Sequence, residues 1–140
     1  MATFLLKTEP ETYSYADLER DGQTAWDGVR NHLAMRYLRA MQPGDEAFIY
    51  HSVSDKQVVG IAQVVSPCRP DPKDESGKFD CLDIAPVRKL KRPVTLAEFK
   101  AAGWHDFDLV RMSRLSVMPV PDAVRDWILA AELEPAVAGK

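Results

Sequence analysis

Turn and cap residues break the apolar residues of this chain into short segments, and no segment is long enough to build a large regular element. Phe4-Leu5-Leu6 reads as a short buried strand. Ser14, with Asp17 three positions on, opens a short helix that Gly22 stops. Asn31 is placed to cap a second helix, in which Ala34, Leu38 and Met41 recur on one face before Pro43-Gly44-Asp45 turns the chain. Glu46 to Val53 and Val58 to Ser66 read as strands, and Gly60 marks a bulge or a close approach. Residues 67–80 hold Pro67, Pro70, Pro72 and Gly77 among charges, which predicts a mobile loop. Phe79 to Leu90 reads as a long strand with a bend at Pro86, and Thr95-Leu96-Ala97-Glu98 fits a capping box for a helix ending at Gly103. Ser113 to Val120 reads as the last strand, and Pro121-Asp122 opens a helix with Val124, Trp127, Ile128 and Ala131 on one face. Strands and short helices in no regular βαβ alternation predict an α+β fold with a mostly antiparallel curled sheet or small barrel.

At 140 residues the chain suits one domain, placed at residues 1–135 with a frayed tail at 136–140. No apolar run approaches the ~18 residues of a membrane span, and the start, Met1 to Lys7, lacks a signal-peptide pattern. Cys68 and Cys81 form no C-x-x-C, as in a reduced intracellular protein, so the expectation is a cytoplasmic monomer, nuclear in a eukaryote. His32, His51 and His105 fall in no metal-ligand spacing, and the phosphate-cradling glycine motifs and the serine nucleophile elbow are missing. No cofactor, metal or catalytic residue is therefore expected. His51-Ser52 is no exception, because neighbouring side chains of a strand point to opposite faces.

The formal charge is −3 with a pI near 5.6, which argues against a generic polyanion binder. The acids are unevenly spread, however. Gly28 to Gly44 contains Arg30, Arg36 and Arg39 and no acid; Ile84 to Ala97 contains Arg88, Lys89, Lys91 and Arg92 and no acid; Leu109 to Pro121 contains Arg111 and Arg114 and no acid. Two of these windows on one face would make a local anion-binding surface, whereas three separately solvated stretches would not.

Trp26-Asp27-Gly28-Val29-Arg30-Asn31 gathers an aromatic, a flexible glycine, a cation and an amide in six residues. Such a group can stack a base, read its edge and hold a phosphate. Residue chemistry alone favours the plainer reading, a tryptophan wedged under a loop with Asn31 only capping a helix. This segment, together with Lys7-Thr8-Glu9-Pro10, Tyr13-Ser14, Tyr50-His51-Ser52, Gly60-Ile61-Ala62, Arg92-Pro93-Val94 and Ser113 to Val117, resembles the EVE domain family in order and spacing.

The resemblance implies a PUA-like fold, a curled β-barrel with flanking short helices, and kinship with YTH domains, which hold N6-methyladenine of RNA in an aromatic cage. It also implies a non-catalytic reader of a modified base in DNA or RNA, modified cytosines in particular. On that pattern Trp26 is the main stacking wall, Lys7, Thr8, Asn31 and Ser52 surround the pocket mouth, and Arg30 and Arg114 hold phosphates. The loop Asp71 to Asp80 is shorter than in many members and ends in Phe79 where they carry a tryptophan, so Phe79, Trp104 and Phe107 all stand as candidates for a second wall. The implied partner is modified nucleic acid, bound weakly through the base, with a protein partner supplying any effector activity. The alternatives are an enzyme using His51 or Asp27 on a modified nucleotide, and a small-molecule or protein-interaction module on the same barrel.

Overall fold

The computed structural model describes residues 1–135, so the tail expected to fray at 136–140 lies outside the described residues. The first strand, β1 (Thr3–Thr8), buries Phe4, Leu5 and Leu6 because it has neighbours on both sides. On one side it runs parallel to β3 (Glu46–His51), and on the other antiparallel to β7 (Val117–Pro119). A parallel pair needs a long crossover, which α1 (Tyr15–Asp21), β2 (Thr24–Trp26) and α2 (His32–Ala40) supply. Every other pairing is antiparallel: β3 with β4 (Gln57–Val64), β4 with β6 (Asp80–Thr95), and β6 with both β2 and β5 (Arg69–Pro70). The sheet order is β2-β6-β4-β3-β1-β7, a curled half-barrel whose edge strands β2 and β7 do not pair. Helix α2 packs against both β6 and β7 and so spans the gap between the edges.

Curling a sheet around a 16-residue strand requires breaks in register, and the β4–β6 pairing shifts twice, between Val58 and Gly60 and between Ile61 and Ala62. Pro86, which has no N–H to donate, stands opposite Ala62 at the second shift. Gly60 fulfils both expectations placed on it. Beyond marking the first shift, it lets the Tyr15 ring approach so closely that a Cβ there would lie 2.5 Å from Cε1. The Tyr15 hydroxyl then donates to the Ile61 carbonyl at 2.7 Å and docks α1 on the sheet.

The expected caps are present. Ser14 with Asp17 and Thr95 with Glu98 form reciprocal capping boxes, the second opening α3 (Leu96–Ala101), while Asn31 accepts from the Ala34 N–H at the start of α2. The last helix, α5 (Asp122–Ala131), buries Val124, Ile128 and Ala131, and the Arg88–Glu132 ion pair at 2.6 Å ties its end to β6.

Four features differ from expectation. The last strand covers only Val117–Pro119, because an unforeseen four-residue helix, α4 (Asp108–Arg111), is followed by a turn at Ser113-Arg114. Strand β2 was hidden by its three-residue length. Strand β6 continues beyond Leu90 to Thr95. Finally, residues 71–79 are internally bonded, since the Asp74 carboxylate accepts from the Ser76 hydroxyl and from the Ser76, Lys78 and Phe79 amides. Those bonds, the Ser76 hydroxyl foremost, hold the Asp74 carboxyl down at about 2.

Candidate functional site

A cleft of about 550 Å³ opens where the end of β1, the segment before α1 and the irregular stretch after β2 converge. Lining it is Trp26, 8% exposed, which β2 delivers by pairing with Leu82 of β6. Tyr13 stands edge-on to it, with ring centroids 6.4 Å apart and planes at 81°. Both ends of Tyr13 are tied: its carbonyl accepts from the Thr8 hydroxyl at 2.7 Å, and its own hydroxyl donates to Asp21 at 2.8 Å. Two aromatics fixed at right angles offer a face and an edge to a flat ligand.

The floor beneath the turn is the buried carboxylate of Asp71. Its Oδ2 accepts from the Gly28 N–H and from Arg30 Nη1, both at 2.9 Å, and its Oδ1 accepts from the Lys73 N–H at 2.8 Å. Gly28 can turn there because it adopts φ +79°, a conformation that disfavours side chains. Burial alone would push the Asp71 carboxyl up, but the Gly28 and Lys73 amides and the Arg30 guanidinium outweigh it and hold it below its ordinary value. On the opposite rim, Lys7 Nζ donates to the Ser113 carbonyl at 2.9 Å and lies 5.8 Å from the Tyr50 ring centroid. Its burial lowers the ammonium pKa from the usual 10.5. Asp27 and Lys73 form an ion pair of 3.0 Å at the cleft mouth.

Of the residues singled out in the sequence, Lys7, Thr8, Trp26, Arg30 and Asn31 are brought together along this cleft. Arg114 lines an adjoining depression of about 320 Å³ that shares Asn31 with the cleft. Ser52 is not part of the lining, because its N–H and hydroxyl both bond the Thr8 carbonyl, at 3.0 and 3.3 Å, from behind. Phe79 also stays outside; it stacks on His32 at 5.3 Å and carries the Arg30 guanidinium 5.4 Å from its ring centroid. Trp104 and Phe107 belong to a separate aromatic cluster with Phe99 and Trp127. The second aromatic of the cleft is Tyr13. Its place directly before the capping Ser14 was the available signal, since a capped helix start fixes the residue ahead of it. Of the other lining residues, Ser116 lies in the Ser113–Val117 motif but was not singled out, and no local pattern marked Lys73.

Two of the three acid-free windows meet here, Asn31 from the first lining the same depression as Arg114 from the third. The middle window is committed elsewhere: Arg88 pairs with Glu132, Arg92 with Glu98 and Lys89 with Glu19. His51 Nε2 accepts the Tyr15 N–H at 3.1 Å, so the ring is held as a structural acceptor. Among the described residues no group of three or more His, Cys, Asp or Glu could hold a metal, and no helix is long and apolar enough to cross a membrane.

Comparison with known proteins adds to this geometry. The family model described as the EVE domain matches residues 2–131. Human thymocyte nuclear protein 1 is 31% identical over 166 aligned positions, covering 92% of this chain and 73% of that protein. The solution structure of Rpa0253 from Rhodopseudomonas palustris superposes with a TM-score of 0.88 at 41% identity over the full length of both chains. The crystal structure of human THYN1 protein in complex with 5-methylcytosine-containing DNA superposes with a TM-score of 0.89 at 30% identity, covering 96% of this chain and 99% of that one. A YTH domain, that of Zygosaccharomyces rouxii MRB1, shares the fold at a TM-score of 0.58 and 17% identity, over 94% of this chain and 86% of that one.

Proposed function

The chain belongs to the EVE domain family, and from that membership we propose that it is a non-catalytic module binding a modified base of nucleic acid in the Trp26–Tyr13 cleft. One observation carries the reading. A cleft walled by two orthogonal aromatics and edged by cations lies in a chain whose relative, human THYN1, was crystallised with 5-methylcytosine-containing DNA.

The physics suits a reader of modest affinity. Extracting a base from a duplex costs a few kcal/mol, and stacking it on an aromatic returns about 1–3 kcal/mol. An added methyl contributes only about 0.8 kcal/mol on burial, so discrimination has to come from cleft shape and edge contacts. Of the two arginines read as phosphate contacts, Arg30 is partly neutralised by Asp71. Arg114 is exposed and has no ion pair among the described residues, which makes it the stronger contact.

Fluorescence anisotropy with oligonucleotides carrying single modified or unmodified bases tests the reading. Wild-type protein should prefer at least one modified oligonucleotide, and Trp26→Ala should weaken its binding about tenfold or more. Equal affinity for modified and unmodified oligonucleotides at low salt, or an unaffected Trp26→Ala variant, would refute it.

A further inference from the structure

A methyl-sized recess cannot separate 5-methylcytosine from thymine, because both rings carry the methyl group at C5. They differ at C4, where cytosine presents an amine donor and thymine a carbonyl acceptor, and at the adjoining N3, an acceptor in cytosine and an N–H donor in thymine. A cleft that separates the two at C4 needs an acceptor aimed at that position. The cations and the capping amide do not serve, and the hydroxyls of the lining, such as Thr12 and Ser116, both donate and accept and so take an amine or a carbonyl alike. Lys7, Arg30 and Lys73 only donate. Asn31 Oδ1 is engaged by the Ala34 N–H at 2.9 Å.

Asp27 is the one carboxylate in the lining of the cleft. It follows Trp26 directly at the end of β2, so it stands beside the aromatic wall, and the Gly28–Asp71 hydrogen bond pins the turn that begins there. Its partner in the free protein is Lys73 Nζ at 3.0 Å, and the Lys73 side chain is 71% exposed. An exposed pair of this kind contributes little and exchanges readily.

We propose that Asp27 reads the exocyclic amine of the bound base, so that the cleft selects an amino-pyrimidine over its keto counterpart, with Lys73 as the counter-ion that the amine replaces. The inference rests on the base-binding reading above. A cytosine amine donates to the carboxylate in a charge-assisted hydrogen bond. A thymine in the same pose sets its O4 against the carboxylate, acceptor against acceptor, and leaves both without a donor.

The test uses single-stranded DNA oligonucleotides of one sequence that differ at one position: 5-methylcytosine, cytosine, thymine, 5-methyl-2-pyrimidinone (methyl kept, no substituent at C4) or an abasic site. Wild-type protein should bind the 5-methylcytosine strand at least about tenfold tighter than the thymine and 5-methyl-2-pyrimidinone strands in anisotropy titrations at fixed salt. In Asp27→Asn the amide can turn its oxygen to an amine or its nitrogen to a carbonyl, so the preference over thymine should shrink to about twofold or less. The pyrimidinone comparison needs only the wild-type protein and is independent of how the variant folds. If wild-type protein binds 5-methylcytosine above the abasic strand but no better than thymine or the pyrimidinone, the inference is overturned and the base-binding reading stands. A folded Asp27→Asn protein with the wild-type preference overturns it in the same way. Binding of every strand no better than the abasic one overturns the base-binding reading itself.

Discussion

Replacing Asp71 with asparagine asks whether one buried carboxylate builds the cleft. Its side chain is fully buried and holds three donors, the Gly28 and Lys73 amides and Arg30 Nη1. Asparagine has the same shape but only one oxygen. If that oxygen faces the Lys73 N–H, an amide nitrogen confronts Gly28 and Arg30, donor against donor; flipped, it abandons Lys73. A hydrogen bond to a charged group is worth about 1.5–3 kcal/mol, while Arg30 is 39% exposed, can rehydrate and adds little. The net cost should be about 2 kcal/mol, equivalent to a fall of about 6–8 °C in Tm for a chain of this size. The pH dependence sharpens the test. The folded pKa of Asp71 is lowered from 3.8, so as pH falls the unfolded chain takes up this proton first. The stability Asp71 contributes is whole above about pH 4 and drains as pH drops through the folded value. Thermal melts of both proteins from pH 7 to pH 3 should show a gap that is full at neutral pH and narrows in acid. A gap below about 2 °C at pH 7, or one unchanged at pH 3, would refute the reasoning.

Other perturbations probe the frame around the cleft. Gly60→Ala would place a methyl 2.5–2.8 Å from the Tyr15 ring, so urea unfolding should show a loss of about 1–3 kcal/mol, and Tyr15→Leu in the same chain should recover part of it. His51 accepts the Tyr15 N–H, and burial lowers its pKa against the opposing pull of Asp55. The folded protein therefore protonates later than the unfolded chain. Stability should be whole above about pH 6.5 and decline below it, and His51→Gln should flatten that limb in unfolding free energies measured from pH 5 to 8. Arg114→Ala should leave Tm unchanged, weaken modified and unmodified oligonucleotides alike, and reduce the slope of log K against log salt by about 0.7–0.9; an unchanged slope would remove Arg114 from the phosphate contacts.

What could be read in the sequence is what local chemistry decides. Ser14 with Asp17, Thr95 with Glu98, and Asn31 work within three residues of themselves, and each was found capping the expected helix. Gly60 was legible because a glycine inside a strand pattern needs a reason. Strand β2 and helix α4 were not, since three or four residues carry no period and both depend on distant partners. The site divides along the same line. Trp26, Arg30 and Asn31 share one short segment, and the family motifs added Lys7 and Thr8. Ser52 and Phe79 lie close to these residues and still stand outside the lining, because hydrogen bonds to the Thr8 carbonyl and a stack on His32 orient them elsewhere. That orientation is decided by tertiary partners rather than by motif order. Asp71 shows the limit most clearly. In the sequence it is one more acid in a proline-rich loop, and only the fold brings it under Gly28 and Arg30.

The same partners explain how a chain of net charge −3 can offer a surface to a polyanion. Nearly half of its acids lie against its own arginines, among them Glu132 on Arg88, Glu98 on Arg92, Glu46 on Arg125 and Asp80 on Arg39. What remains near the cleft is the half-buried Lys7, the half-compensated Arg30 and the exposed Arg114, too few to grip a long duplex through its phosphates. Affinity then has to come from the base. In that setting a carboxylate lining the cleft repels an incoming phosphate once Lys73, its partner at 3.0 Å, is drawn away. On the proposed reading Asp27 offsets that repulsion through a charge-assisted contact stronger than a neutral residue would make. The donor for that contact is, on the same reading, the exocyclic amine of a base stacked next to Trp26.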